Sequence, residues 1–149
     1  MPTELNDKNS EHMAEVGAER GATTNRPRRC GWLDGLALKY ACQVNGFTEV
    51  IFNKLDVLTG LPQVKFNKSY QMGSEKISRF PWSPDDLAKC SGNYESFEGW
   101  NEALPQTNED GHLNEAAIRY IEEVEKFIET PINWVGTGPN RKNAFSLLD

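Results

Sequence analysis

The apolar run Val50-Ile51-Phe52 passes without a break into Asn53-Lys54-Leu55-Asp56. This junction constrains the fold more than any other feature of the chain. Upstream, Leu33, Leu36, Ala37, Tyr40, Ala41 and Val44 recur on one helical face. A helix is therefore expected from Trp32, stopped by Asn45-Gly46, with a strand over Glu49 to Asn53 directly after it. A helix feeding a short buried strand is part of an α/β unit. In open α/β sheets, ligands bind beyond the carboxyl ends of the strands, where Asn53 to Asp56 would lie.

The residue types at that end carry a specific chemistry. One carboxylate, Asp56, can accept hydrogen bonds from both N1–H and the 2-amino group of guanine, and adenine offers no matching pair of donors. The aliphatic stem of Lys54 can lie along the base while its ammonium bonds nearby oxygens. Asn-Lys-x-Asp is the guanine-specificity pattern of GTP-binding proteins. Taken alone, the same four residues also describe a solvated strand end with a Lys–Asp pair.

Elsewhere the chain alternates patterned segments and loops. Glu11 to Glu19 suits a short helix weakened by Gly17, and Gly60-Leu61-Pro62 is a break. Gln63 to Tyr70 places Val64, Phe66 and Tyr70 on one face and Gln63, Lys65 and Asn67 on the other, as in a half-buried strand. Ser83-Pro84-Asp85-Asp86 reads as a helix start, with Ser83 as cap, and that helix stops before Gly92. Asn93 to Gly111 reads as irregular. Leu113 to Glu129 is amphipathic, with Leu113, Ala117, Tyr120, Ile121, Val124, Phe127 and Ile128 on its apolar face. Ile132 to Val135 is a last short strand, followed by the loop Gly136-Thr137-Gly138-Pro139. Trp32, Trp82, Trp100 and Trp134 are expected to be packing residues.

The length of 149 residues suits one domain, and 38% hydrophobic with 26% charged residues suits a globular protein. A net charge of −6 opposes general nucleic-acid binding. No apolar stretch is long enough to span a membrane, and Met1 to Ser10 lacks an apolar signal core. Cys30, Cys42 and Cys90 are odd in number and form no C-x-x-C pair. Reduced thiols in the cytoplasm are the corresponding expectation.

The loop Gly21 to Gly31 concentrates two adjacent hydroxyls, Thr23 and Thr24, with Arg26, Arg28 and Arg29. Guanidinium groups bind carboxylates through a planar bidentate fork, and small residues let such a loop close over a ligand. A solvated basic turn and a phosphate-backbone patch are the other readings of these residues.

Several motifs in order resemble one family. Gly21 to Asp34 is similar to G-A-T-T-G-R-P-R-R-x-G-W-L-D, the substrate loop of adenylosuccinate synthetases. Asn53 to Leu61 resembles their T-K-L-D-V-L-D-G-L, Gly136 to Arg141 their S-T-G-P-D-R, and Pro2 to Leu5 their P-T-E-L. The resemblance spans essentially the whole chain. It implies an α/β fold, part of a mixed sheet like that of P-loop NTPases with flanking helices, lacking its N-terminal half. It implies a single synthetase portion over 1–149, with an aspartate/IMP loop at 21–31 and a guanine pocket from 50–61 and 134–141. The family reaction joins L-aspartate to IMP at the expense of GTP, with magnesium. Ala22, Thr23, Thr24, Asn25, Arg26, Pro27 and Arg28 would bind aspartate and IMP. Arg28, Lys54, Leu55, Asp56, Gly136, Thr137 and Gly138 would bind GTP.

The sequence also departs from the family. Asn25 replaces a glycine, a change tolerated best if the position has positive φ. Asn53 replaces threonine, Gly136 replaces serine and Asn140 replaces aspartate. The family's G-D-E-G-K-G-K loop with its catalytic Asp is absent, and His12 and His112 match no catalytic position. The chain therefore resembles about the last third of the enzyme, with no catalytic residue and no metal ligand of its own, and is expected to be inactive alone. Full-length relatives are expected to be homodimers. The alternatives are a GTP-binding subunit of a split synthetase and a non-functional truncated fragment, and dGMP stands beside IMP as an acceptor.

Overall fold

The computed structural model describes residues 1–148, with the side chain of Asn108 left out. The chain forms two compact units, Met1–Ala41 with Lys65–Ser96, and Cys42–Val64 with Phe97 onward.

In the first unit, α1 spans Lys8–Val16, three residues earlier at each end than its spacing suggested. The start is set by Asp7, whose carboxylate accepts from the amides of Asn9 and Ser10 at 2.9 and 3.1 Å, closing a capping box with Ser10. These bonds, that from the Ser10 amide foremost, hold the Asp7 carboxyl below its ordinary range. The next helix, α2 (Gly35–Asn45), starts three residues later than Trp32. Asp34 is the reason: its carboxylate accepts from the Ala37 amide at 3.1 Å, and its carbonyl accepts from Leu38. Trp32 is instead buried ahead of the helix.

An antiparallel hairpin of β2 (Gln63–Met72) and β3 (Glu75–Ile77) turns at Gly73, at φ 59°. The expected two-sided character of β2 is only partly realised. Val64, Phe66 and Tyr70 are buried, but so are Asn67 and Ser69, so the polar side is covered as well. Tyr70 donates to both oxygens of Asp34 at 2.8 Å, and Asn67 donates its amide to the Leu33 carbonyl. The short helix α3 (Pro84–Lys89) is capped by Ser83, as its sequence indicated. The segment read as irregular from Asn93 in fact begins with a strand, β4 (Ser91–Glu98), and the sheet order is β3-β2-β4. This strand has few apolar residues and is recruited by pairing, with Lys68 bridging to Glu95 at 2.6 Å. Trp82 is 91% exposed and is not a packing residue.

The second unit holds a mixed sheet of order β1-β5-β6, made of β1 (Val50–Phe52), β5 (Ile132–Gly136) and β6 (Ala144–Ser146). Strands β1 and β5 are parallel, with Ile51 opposite Trp134 and Phe52 opposite Val135. The pairing of β5 with β6 is antiparallel. Helix α4 (Glu115–Ile128) is capped by Asn114, which accepts from the Ala117 amide at 2.9 Å. It ends at Glu129 in the left-handed region, φ 59°. Its face of Ala117, Tyr120, Ile121, Val124 and Ile128 is buried. The Tyr120 ring sits among Phe52, Phe97 and Trp100, at centroid distances of 5.8, 5.6 and 6.3 Å.

Burial pushes the hydroxyls of Tyr120 and Tyr70 well above the ordinary tyrosine range, Tyr70 with help from its bond to Asp34. A proton held more tightly in the folded state stabilises it fully below the unfolded pKa of about 10 and stops doing so as pH rises above that value. Melting temperature is expected to be flat from pH 7 to 9 and to fall from about pH 10 upward. Tyr70→Phe should flatten part of that fall, and thermal scans across this range check it.

Candidate functional site

Two loops leave the carboxyl ends of the parallel strands side by side. Beyond β1 the chain forms a 3-10 turn at Leu55–Leu58. Leu55 and Val57 are buried and root this turn, while Lys54 is exposed and Asp56 half-buried. Lys54 has φ 62°, an uncommon conformation for a lysine that costs roughly 1 kcal/mol. The sequence pattern gave no signal of it. Beyond β5 runs Gly136-Thr137-Gly138, and the Cβ position of Gly136 lies only 3.4 Å from the Asn53 Cα.

The second loop is fixed from below. Thr137 is fully buried, and its hydroxyl donates to the Pro105 carbonyl at 2.6 Å. Its amide donates to the Asn143 carbonyl, and its own carbonyl accepts from Gln106 Nε2 at 3.0 Å. Asn143 Oδ1 accepts from the Asn140 amide, and its Nδ2 donates to the Gln106 carbonyl. Thr137 thus serves as a pin, and Gln106 and Asn143 are supporting residues that sequence inspection missed. They lie outside the motif and are joined to it only by folding.

The Arg-rich loop belongs to the other unit. It is a tight hairpin: Gly21 donates to the Arg26 carbonyl at 2.9 Å and Asn25 donates to the Gly21 carbonyl at 2.8 Å. Asn25 has φ 52°, the conformation under which asparagine is the tolerated replacement for glycine. Residues 22–29 are all exposed. Arg28 pairs with Glu19 at 3.3 Å and Arg29 with Glu4 at 2.9 Å, the latter tying the loop to Pro2–Leu5. Glu4 and Gly31 form a bridge, and the Leu5 amide donates to the Cys30 carbonyl at 3.0 Å. Pro2–Leu5 is therefore the base on which the loop stands.

A cavity of about 390 Å³ lies between α4 and the β5–β6 strands, lined among others by Leu113, Ile121, Ile132 and Phe145. None of the residues expected to hold guanine lines it. Among the described residues no three His, Cys, Asp or Glu are grouped to hold a metal ion, and no helix is long and apolar enough to cross a membrane.

A mixed α/β sheet with paired loops at the ends of its parallel strands places this chain among α/β proteins. The family model for adenylosuccinate synthetase matches residues 1–145, so the chain belongs to the adenylosuccinate synthetase family. It is 44% identical over 142 residues to the chloroplastic adenylosuccinate synthetase of Triticum aestivum, covering 95% of this chain and 30% of that protein. It is 45% identical over 139 residues to the adenylosuccinate synthetase of Clostridioides difficile, covering 93% and 32%. The structure of fully ligated adenylosuccinate synthetase from Plasmodium falciparum superposes with a TM-score of 0.87 at 37% identity, over 98% of this chain and 35% of that one. The chain spans about a third of the length of the relatives it matches.

Proposed function

We propose that these residues supply two substrate-binding elements of an adenylosuccinate synthetase, the guanine pocket for GTP and the loop for aspartate and IMP. The observation that carries this is the side-by-side exit of the Asn53–Asp56 turn and the Gly136–Gly138 loop from adjacent parallel strands. Asp56 accepts from N1–H and the 2-amino group, Lys54 covers the base, and Gly136 and Gly138 allow their backbone to approach it. Leu55 contributes through backbone, since its side chain is buried, and Thr137, whose hydroxyl, amide and carbonyl are all bonded to the loop's support, contributes by fixing the loop. In the loop, Thr23, Thr24 and Arg26 take the carboxylates of aspartate, with Ala22, Asn25 and Pro27 shaping the hairpin. Arg28 joins them by exchanging Glu19 for substrate.

The reaction is a ligation in two steps. GTP phosphorylates O6 of IMP, and the aspartate amine then displaces phosphate. Phosphate cradle, acid and base are assigned outside these 149 residues, which contain no G-x-x-x-x-G-K-[ST] pattern. Magnesium, which would offset phosphate charge in such a transfer, would be held by that same outside part. The chain alone is expected to bind guanine nucleotide without turnover. Cys30, Cys42 and Cys90 form no disulfide among the described residues, which fits a reducing, cytoplasmic setting.

Hydrogen exchange with GDP and ADP tests the placement. GDP is expected to slow exchange at residues 53–58 and 136–138, with ADP leaving both unchanged. Protection confined to the cavity beside α4, or equal for both nucleotides, would contradict it.

A further inference from the structure

The cavity of about 390 Å³ beside α4 lies wholly within the second unit. Helix α4 faces it with Ile118, Ile121, Glu122 and Glu125, spaced i, i+3, i+4 and i+7 along one stripe. The open end of the β5–β6 hairpin supplies Ile132, Phe145 and Leu148. Ile121, Ile132 and Phe145 are buried, whereas Ile118 and Leu148 are 38% and 74% exposed, so apolar surface continues from the interior out to solvent. The volume falls within the range of about 300–1,000 Å³ that small-molecule pockets occupy.

The fixed charges on this lining have one sign. Glu122 and Glu125 line the cavity, and no Lys or Arg does. The other ionisable residue on it, His112, is exposed. The two cations of α4 are committed elsewhere, Arg119 to Glu115 at 2.8 Å and Lys126 to Glu123 at 3.5 Å. Glu125 Oε2 accepts from the Ile132 amide at 2.6 Å, which holds that carboxylate against β5. Glu122 is exposed and has no cationic partner among the described residues. An apolar pocket edged by two carboxylates complements a cation with an apolar body. The body is removed from water, and the charged nitrogen donates to the carboxylates. An anion would be repelled.

We infer that this cavity binds a small organic ammonium, with its alkyl or aryl body between α4 and the β5–β6 hairpin and its nitrogen at Glu122 and Glu125. The site stands apart from the guanine pocket and does not depend on it.

The test uses the full 149-residue chain at about pH 7, where an alkylammonium stays charged. Phenethylammonium, phenethyl alcohol and hydrocinnamate are titrated in turn and followed by nuclear magnetic resonance. The ammonium is expected to half-saturate below about 1 mM, with shifts at Leu113, Ile121, Ile132 and Phe145. The alcohol should bind at least about tenfold more weakly, and the carboxylate more weakly still. Glu122→Gln combined with Glu125→Gln should lower ammonium affinity about tenfold. It should leave the alcohol within about twofold, since a carboxamide at 125 still accepts from the Ile132 amide. If the double variant fails to fold, Glu122→Gln alone, at an exposed position, should weaken the ammonium about threefold. No saturation by the ammonium at about 10 mM, shifts confined to other parts of the chain, or equal affinity for ammonium and alcohol overturns the proposal. So does ammonium affinity that is unchanged when the carboxylates are lost.

Discussion

Asp56→Ala is expected to weaken GTP binding by about two to three orders of magnitude and to erase the preference over ATP. Each charge-assisted hydrogen bond contributes roughly 1.5–3 kcal/mol, and the carboxylate can accept two from one base edge. The backbone should not suffer. Asp56 is half-buried, and the turn that carries it is rooted by Leu55 and Val57, so melting should shift by no more than a few degrees. Asp56→Asn separates charge from pattern. Its carboxamide keeps an acceptor for N1–H but turns a donor toward the 2-position, where guanine also has a donor and xanthine has a carbonyl. Xanthosine triphosphate should then bind better than GTP. Competition calorimetry with GTP, ATP and xanthosine triphosphate measures all three affinities. Retained GTP preference in Asp56→Ala would remove Asp56 from the pocket.

The second large effect is on stability. Gly31→Ala is expected to cost about 3 kcal/mol or more and to lower melting by about 6–12 °C. A Cβ there would meet the Thr3 carbonyl oxygen at 2.0 Å, its carbon at 2.7 Å and the Glu4 Cα at 3.0 Å. All three are backbone atoms, and Thr3 is 1% exposed, so no side-chain rotation can relieve the clash. Part of the loss should be disorder of the Arg-rich loop, because Arg29–Glu4 and the bridge from Glu4 to Gly31 are its base. Gly46→Ala makes the contrast. It has φ 63° but nothing within 4 Å of the new methyl, so only the left-handed backbone penalises it, by about 1 kcal/mol. Urea melts of both variants give the comparison. Equal losses would mean that the Thr3 contact yields easily and is not the base of the loop.

These effects also mark what could be read from sequence. The strand ending in Asn53-Lys54-Leu55-Asp56 was legible because apolar residues and a compact motif lie together in the chain. The helix at 115–128 was legible through its periodic apolar face. Helix starts were misplaced wherever a capping side chain was overlooked, as with Asp34 before α2. Strand β4 escaped because its partner β2 is distant in sequence and its own residues carry little apolar alternation, and β6 because it is only three residues long, Ala144–Ser146, folded back on β5. In the candidate site, residue types announced chemistry but not support. Gln106 and Asn143 bind the Gly136–Asn140 loop from outside the motif, and nothing in their local sequence marks them. The left-handed backbone at Lys54 likewise carries no mark in its local sequence.

The most direct measurement is titration calorimetry of the unaltered chain with GTP and with ATP. Saturable binding of GTP is expected, at least about a hundredfold tighter than ATP, the difference that two charge-assisted bonds to one base edge confer. Equal affinity for the two nucleotides, or heat from neither at millimolar concentration, would contradict a guanine pocket formed by these residues.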